Sequence, residues 1–165
     1  MDNQYLKPYL ESSVFISWIK GEFNNGLDCK KTVDHILTLA KEGLYRIVTS
    51  SWTLAEVHKR KSGAELDDKK SKAILKYFEH DYIEIVEVTR ARGEEAHMLA
   101  RQYGLKPTDA IHLACALRAK CDVLLTFDPD FNPVKNDKGS RIRIETPQII
   151  PVNPLPLFDI DSPKA

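Results

Sequence analysis

Short runs of β-branched and aliphatic residues alternate along this chain with longer segments that carry helical periodicity. Val123-Leu124-Leu125 is typical of a buried strand, whereas Cys29–Lys41 repeats apolar residues at the i, i+3, i+4, i+7 spacing of one helical face, starting from Val33. Parallel strands require long crossover connections, which are usually helices. The alternation therefore predicts a three-layer α/β/α fold with a central, mostly parallel sheet of four or five strands.

The predicted elements follow from this alternation and from the glycines and prolines that punctuate it. The predicted strands are Lys7–Leu10, Arg46–Thr49, Tyr82–Val88, Asp122–Phe127 and Arg141–Glu145. The predicted helices are Ser12–Lys20, Cys29–Lys41, Ser51–Lys61, Glu65–His80, Thr89–Tyr103 and Pro107–Ala119.

Length and composition predict one globular domain over residues 1–146, followed by a Pro-rich tail over residues 147–165. The chain has 165 residues with 24 basic and 24 acidic side chains, and five of its nine prolines lie in the tail. No apolar run is long enough to cross a membrane, and the N-terminus does not resemble a signal peptide. Three cysteines match no zinc spacing and cannot all pair, so we expect a cytoplasmic protein.

Four acidic residues stand where an open α/β sheet binds ligands, beyond the carboxyl ends of its strands. Glu11 and Asp128 directly follow predicted strands, and Glu56 and Asp109 lie in predicted helices beside them. Each also has a structural interpretation. Glu56 fits a capping box with Thr53. Taken alone, this pair favours the capping role over a role in a site.

The other three carboxylates are likewise ambiguous when each is taken alone. Asp109 suits the first turn of any helix because of the helix dipole. Asp128 could simply open a turn with Pro129, and Glu11 could be a surface charge.

The segments around these four residues resemble the motifs of the PIN-domain nucleases, in the order of that family. The resemblance is carried by Tyr9–Ile16, Thr53–Val57, Pro107–Ala116 and Leu124–Phe131, and it covers roughly residues 5–131. It implies a PIN-like fold and a metal-dependent endoribonuclease, most similar to the VapC-type toxins of toxin–antitoxin pairs. The partners that it implies are an RNA substrate and a small antitoxin protein.

By this resemblance the catalytic and metal-binding residues are Glu11, Glu56, Asp109 and Asp128. Glu11, Asp109 and Asp128 would bind a metal ion, and Glu56 would hold a second ion or position a water molecule. Oxygen ligands without suitably spaced Cys or His favour Mg²⁺ or Mn²⁺ over zinc. Whether one or two ions bind stays open at this point.

Glu11 departs from the resemblance, because the family ordinarily has aspartate at this position. One more methylene moves the carboxylate by about 1.5 Å, and a misplacement of about 1 Å can cost on the order of 10²-fold in rate. Activity could therefore be reduced. Near the site, Ser13 and Thr126 could supply supporting hydroxyls, and Asp130 is a spare carboxylate. We interpret His112 as a packed group rather than a catalytic one.

A basic segment follows Glu56. Residues 57–76 contain seven Lys or Arg side chains against three acidic ones, and Lys59, Arg60 and Lys61 come within one helical turn or so of Glu56. They either contact RNA phosphates or form an ordinary solvated helix face. A surplus of apolar residues in the first two helices suggests a homodimer contact or an antitoxin groove; these residues are Val14, Phe15, Trp18, Ile19, Leu27 and Leu37.

Two other functions compete with the ribonuclease. Glu11 motivates a catalytically silent PIN-like module that binds RNA or protein. An α/β phosphatase or signalling domain shares the acidic strand ends, although Asp128-Pro129-Asp130 lacks the continuation of a nucleophilic Asp-x-Asp-x-Thr motif. The sequence does not name the RNA target.

Overall fold

A computed structural model describes residues 5–58 and 67–149 as alternating strands and helices. The strands are β1 (Pro8–Leu10), β2 (Phe23–Asn24), β3 (Leu27–Asp28), β4 (Ile47–Ser50), β5 (Ile83–Val86), β6 (Val123–Leu125) and β7 (Arg143–Glu145). The α-helices are α1 (Ser12–Lys20), α2 (Cys29–Lys41), α3 (Ser51–Glu56), α4 (Asp68–Tyr77), α5 (Arg90–Tyr103), α6 (Pro107–Arg118) and α7 (Asn132–Lys135).

Five of these strands form one parallel sheet in the order β5-β4-β1-β6-β7. The chain first builds outward from β1 to β4 and β5, then crosses to the other side of β1 to add β6 and β7. The strand order thus changes direction at β1, which opens a crevice at the carboxyl ends of β1, β4 and β6. The predicted parallel sheet is confirmed, with five strands in the described residues.

Helices cover both faces of the sheet, which confirms the three-layer prediction. Successive side chains of a strand point to opposite faces. In β1, Tyr9 belongs to the buried cluster that includes α5 and α6, and Leu10 belongs to the cluster that includes α1 and α2. The second cluster also contains Val14, Phe15 and Leu37, so these three residues of the apolar surplus form core and no free docking surface.

Glycine ends two helices as the sequence predicted. Gly21 and Gly104 adopt the left-handed conformation after α1 and α5, at φ of 61° and 67°. The two helices around the basic segment are shorter than predicted. The α3 helix ends at Glu56 rather than at Lys61, and α4 begins at Asp68, where the Asp67 side chain accepts a hydrogen bond from the Lys70 amide.

The sequence analysis missed four small elements, two of which form a hairpin with a recognisable signal. Strands β2 and β3 form an antiparallel hairpin around Asn25-Gly26, whose φ angles of 50° and 80° are those that this dipeptide favours in a tight turn. The others are a 3₁₀ helix at Pro129–Phe131 and the short helix α7 directly after it.

The described residues bear on two further predictions. All three cysteines are buried free thiols, as the absence of a pairing pattern suggested. Within residues 5–58 and 67–149, no helix has the length and hydropathy needed to cross a bilayer. The Pro-rich tail lies outside the described residues from position 150 onward, so its boundary remains a prediction.

Candidate active site

The four predicted carboxylates lie around the crevice at the carboxyl end of β1. Glu11 follows β1, Glu56 ends the helix after β4, and Asp128 lies three residues beyond β6. Asp109 lies in the first turn of α6, which runs antiparallel to the strands and therefore begins at their carboxyl ends. The ends of three neighbouring strands and one helix N-terminus thus bring these four residues to the same edge of the sheet.

Glu11 caps the helix that follows it and is only 5% exposed. Its Oε2 accepts hydrogen bonds from the Ser13 amide (3.0 Å), the Thr126 hydroxyl (2.9 Å) and the Ser13 hydroxyl. Oε1 lies 3.8 Å from Nε2 of His112. The longer side chain is therefore folded back onto the cap of α1, with one oxygen satisfied and the other directed into the site.

Ser13 and Thr126 contact Glu11 and also join two elements. The Ser13 Oγ accepts a hydrogen bond from the Phe127 amide at 3.0 Å, and Thr126 Oγ1 accepts one from the Asp128 amide at 2.9 Å. These bonds fix the loop after β6 against α1.

Glu56 is held by two other elements. Its Oε2 accepts hydrogen bonds from Nε2 of His112 at 2.9 Å and from the Ser12 hydroxyl. Burial raises the pKa of the Glu56 carboxyl, but these donors outweigh burial and leave the pKa below its usual range. The capping-box interpretation is wrong, because α3 already begins at Ser51 and the Thr53 hydroxyl bonds to Thr49 at 2.7 Å.

Asp109 is buried without an equivalent set of donors. It is 6% exposed, and among the described residues no hydrogen-bond partner reaches its Oδ2. Burial and the neighbouring charges of Asp128, Glu11 and Asp130 raise the pKa of Asp109 to about 6. Lys106 and a 3.4 Å contact from the Thr108 hydroxyl to Oδ1 compensate this charge only in part.

Asp128 and Asp130 lie beside Asp109 in the turn after β6. Asp128 opens the 3₁₀ helix, and its Oδ1 accepts a hydrogen bond from the Asp130 amide at 2.9 Å. Asp128 therefore opens a turn and also lies beside Asp109, so its two interpretations are compatible. Asp130 forms an ion pair with Lys106, which lies on the loop before α6.

His112 is the residue of this site whose role the sequence analysis missed. Its ring is fully buried, as predicted for a packed group, but it also bonds to Tyr9 Oη at 2.8 Å and to Ser12 Oγ at 2.7 Å in addition to Glu56. His112 lies three residues after Asp109, on the same side of α6. That spacing was the available signal in the sequence.

The potential ligand atoms form two sets, in each of which all of them lie within 4.8 Å of one another. We name Glu11, Glu56 and His112 the glutamate group. We name Asp109, Asp128 and Asp130 the aspartate group. The predicted ligand set of Glu11, Asp109 and Asp128 is therefore divided between the two groups. The carboxylate oxygens of both are the donors that Mg²⁺ and Mn²⁺ prefer, and the unpartnered Oδ2 of Asp109 fits such an ion.

A groove of about 680 Å³ opens beside Asp128. Its walls are the β2–β3 hairpin with Asn24 and Asn25, the loop after β6, and α7 with Asn132 and Lys135. The lining thus combines amide groups and the Lys135 ammonium with the carboxylates of Asp128 and Glu145 and with several apolar side chains. Lysine and amide side chains are among the groups that contact phosphates in protein–nucleic acid complexes.

The predicted RNA-contacting residues Lys59, Arg60 and Lys61 lie outside the described residues. Downstream of them, Lys69, Lys70, Lys72 and Lys76 are exposed on α4.

Comparison with known proteins places this geometry in a family. Residues 9–136 match the family model of the PIN domain. Comparison with curated protein sequences gives no match.

Three solved structures share the fold at low sequence identity. A toxin–antitoxin complex from Klebsiella pneumoniae matches with 19% identity and a TM-score of 0.58 over 87% of this chain and 99% of that chain. VapBC2 from Rickettsia felis, bound to a promoter DNA fragment, matches with 19% identity and a TM-score of 0.55 over 86% and 98%. Mycobacterium tuberculosis VapC20, a toxin that cleaves the sarcin–ricin loop, matches with 16% identity and a TM-score of 0.55 over 76% and 92%.

Proposed function

Because the chain belongs to the PIN domain family of nucleases, we propose that it is a metal-dependent endoribonuclease and the toxin of a toxin–antitoxin pair. The observation that carries the proposal is the buried Asp109, whose Oδ2 has no partner among the described residues and whose neighbours are also acidic. A divalent cation would compensate this charge. The family match supports the nuclease over the phosphatase or signalling domain.

The proposed ligands of Mg²⁺ or Mn²⁺ are Glu11, Asp109 and Asp128, with Glu56 holding a second ion or the attacking water. A bound divalent ion activates water at neutral pH and stabilises the charge that develops on a phosphodiester. The chain's own residues prepare this chemistry. Ser13 and Thr126 leave Oε1 of Glu11 free of their hydrogen bonds, and Ser12 and His112 keep Glu56 ionised and in place.

The proposed substrate is RNA, with its backbone crossing the groove beside Asp128. Support comes from Lys135 and from the amides of Asn24, Asn25 and Asn132 on the groove walls. Lys59, Arg60 and Lys61, which follow Glu56 in the sequence, are proposed as further RNA-contacting residues. We further propose a small antitoxin protein as partner, a homodimer as the assembly and the cytoplasm as the compartment. Light scattering of the protein alone and with the product of a neighbouring gene tests the first two.

Cleavage of a mixed RNA pool tests the proposed reaction. We expect cleavage with Mn²⁺, none with EDTA, and none with Asp109→Asn. Asp34→Asn is the matched control, because Asp34 lies on α2 and bonds to Trp18 and Lys30 away from the site. Cleavage that persists in EDTA or in Asp109→Asn would contradict the metal mechanism.

One observation favours the silent module as a second candidate. Three hydrogen bonds already occupy Oε2 of Glu11, so only Oε1 is available at the position where the family ordinarily has aspartate. Mn²⁺ binding without any cleavage in the same assay would favour this candidate over the nuclease.

A further inference from the structure

A buried chain of polar groups runs from the centre of the sheet to Glu56. Tyr9 and His112 are each 0% exposed. The Tyr9 hydroxyl lies 2.8 Å from Nδ1 of His112, and Nε2 of the same ring lies 2.9 Å from Glu56 Oε2. Tyr9 and Glu11 are two residues apart in an extended segment, so their side chains leave β1 on the same side and meet α6 together.

The chemistry of the partners indicates where the protons lie in a neutral ring. An ionised carboxylate only accepts hydrogen bonds, so the contact with Glu56 requires a proton on Nε2. In the neutral ring Nδ1 is then an acceptor, and the Tyr9 hydroxyl donates to it. Ser12 Oγ donates its own proton to Glu56 and, at 2.7 Å, accepts from Nε2–H, which Ser12 and Glu56 therefore share. In this arrangement each contact has a donor and an acceptor.

Glu56 is held mainly by residues of other helices. The α3 helix has six residues and ends at Glu56 itself, and its own contribution is a side-chain hydrogen bond from Trp52. The stronger donors are Ser12 from α1 and His112 from α6. Asp109 lies one turn before His112 on α6. The same helix therefore carries Asp109 of the aspartate group and, through His112, holds Glu56 of the glutamate group.

We propose that His112 is a positioning residue of the active site, whose Nε2–H holds the Glu56 carboxylate and whose tautomer is fixed by the Tyr9 hydroxyl. The proposal deepens the nuclease function and rests on it for its effect on rate. The hydrogen-bond geometry itself is independent of that function.

Direct ligation of a metal by His112 is the competing role. Nε2 already lies at hydrogen-bond distance from both Ser12 and Glu56, and a ligating Nε2 would have to give up its proton and both contacts. Oxygen-preferring ions such as Mg²⁺ have no need of this nitrogen beside several carboxylates. The geometry therefore assigns the ring to Glu56 rather than to an ion.

Nuclear magnetic resonance tests the geometry without any assay of cleavage. Long-range ¹H–¹⁵N spectra of the full chain, with His112 assigned from the His112→Gln variant, should show a protonated Nε2 and an unprotonated Nδ1. Tyr9→Phe and Glu56→Gln should each shift these signals, whereas saturating Mg²⁺ should leave Nε2 protonated. An unprotonated Nε2, with or without Mg²⁺, would overturn the proposal.

Steady-state kinetics then test the consequence. We expect His112→Leu to lower kcat about 10–100-fold with KM for RNA unchanged, as for other residues that orient a ligand. His112→Gln, whose amide nitrogen reaches the position of Nε2, should recover kcat to within about tenfold of the natural protein. Leu113→Ala is the control, because it perturbs the core on the same helix and should lower the unfolding midpoint while leaving kcat unchanged.

Two results of the kinetics would overturn the positioning role. One is an unchanged kcat in folded His112→Leu. The other is a His112→Leu/Glu56→Gln double variant whose loss equals the product of the two single losses, since a residue that acts through Glu56 adds nothing once Glu56 is altered. Absence of cleavage by the natural protein would instead contradict the proposed function, and the tautomer measurement would still decide the role of His112.

Discussion

The glutamate and aspartate groups place carboxylates at similar depth but treat them differently. Glu11 and Asp109 are 5% and 6% exposed. Glu11 accepts three hydrogen bonds at one oxygen, whereas Oδ2 of Asp109 meets no donor from the described residues. The pKa of Glu56 is lowered by its donors in spite of burial, and that of Asp109 is raised to about 6.

The difference teaches that donors, more than depth, decide whether a buried carboxylate is stable as an anion. In the glutamate group, hydroxyls, an amide and an imidazole donate hydrogen bonds to the carboxylates. The aspartate group is left with charge that burial and repulsion disfavour. It is therefore the part of the site where a cation has the most to contribute, and the predictions below test that asymmetry.

The largest expected effect is that of Asp109→Asn. Loss of this ligand should reduce RNA cleavage to the level of the EDTA control, because the neutral amide cannot balance the charge of a divalent ion. The same substitution should raise the free energy of unfolding of the ion-free protein at pH 7 by on the order of 1–3 kcal/mol, because a buried charge is removed. Cleavage rates and urea unfolding measure the two changes. Loss of both activity and stability would place Asp109 among the structural carboxylates.

The pH dependence of stability should report the same group. In the unfolded chain Asp109 titrates near 3.8, and in the folded chain near 6, so between these values only the folded state retains the proton. Stability of the ion-free protein should therefore fall as pH rises from about 4 to about 6, by on the order of 1–3 kcal/mol relative to Asp109→Asn. Urea unfolding of both proteins across this range measures the difference. Parallel curves for the two would contradict the raised pKa.

Glu11→Ala should change the free energy of unfolding in the opposite direction to Asp109→Asn. Removing the cap of α1 should lower the free energy of unfolding by about 0.5–2 kcal/mol. Glu11→Asp keeps a capping carboxylate and should recover most of this loss. Chemical denaturation checks both variants. Stabilisation by Glu11→Ala would show that the glutamate group also stores unfavourable charge.

The smallest expected effect is that of Lys106→Ala. Lys106 pairs with Asp130 at the surface, with side chains 70% and 39% exposed, and would compete with a cation for the aspartate group. Its removal should tighten Mn²⁺ binding by at most about fivefold, because solvent screens an exposed ion pair. Calorimetric titration measures this, with Lys30→Ala as control, since Lys30 pairs with Asp34 on α2. Weaker binding would make Lys106 a supporting residue rather than a competitor.

Much of the fold could be predicted because its signals are local. The Gly21 and Gly104 caps end α1 and α5 at the predicted residues, and the strand-like runs lie near β4 and β6. The Asn25-Gly26 hairpin was also readable and was overlooked. Acidic residues at strand ends were predictable in position for a similar reason, because parallel strands end at one edge of a sheet.

The division into two groups could not be predicted in this way. It depends on contacts between residues 44 and 100 positions apart, from Ser12 to Glu56 and from Ser12 to His112, and on which oxygen each donor reaches. Thr53 and Glu56 illustrate the limit. Their spacing fits a capping box, yet the helix begins at Ser51 with Ser50 as its N-cap, which leaves Glu56 available to distant partners.

Crystallography of the natural protein with Mn²⁺, with anomalous scattering to locate the ion, tests the central claim most directly. We predict Mn²⁺ bound by Oδ2 of Asp109 together with Asp128, with Oε1 of Glu11 facing the ion and His112 still bonded to Glu56. Manganese bound by the glutamate group alone, or an Asp109 that remains without a cation at saturating Mn²⁺ and neutral pH, would contradict it.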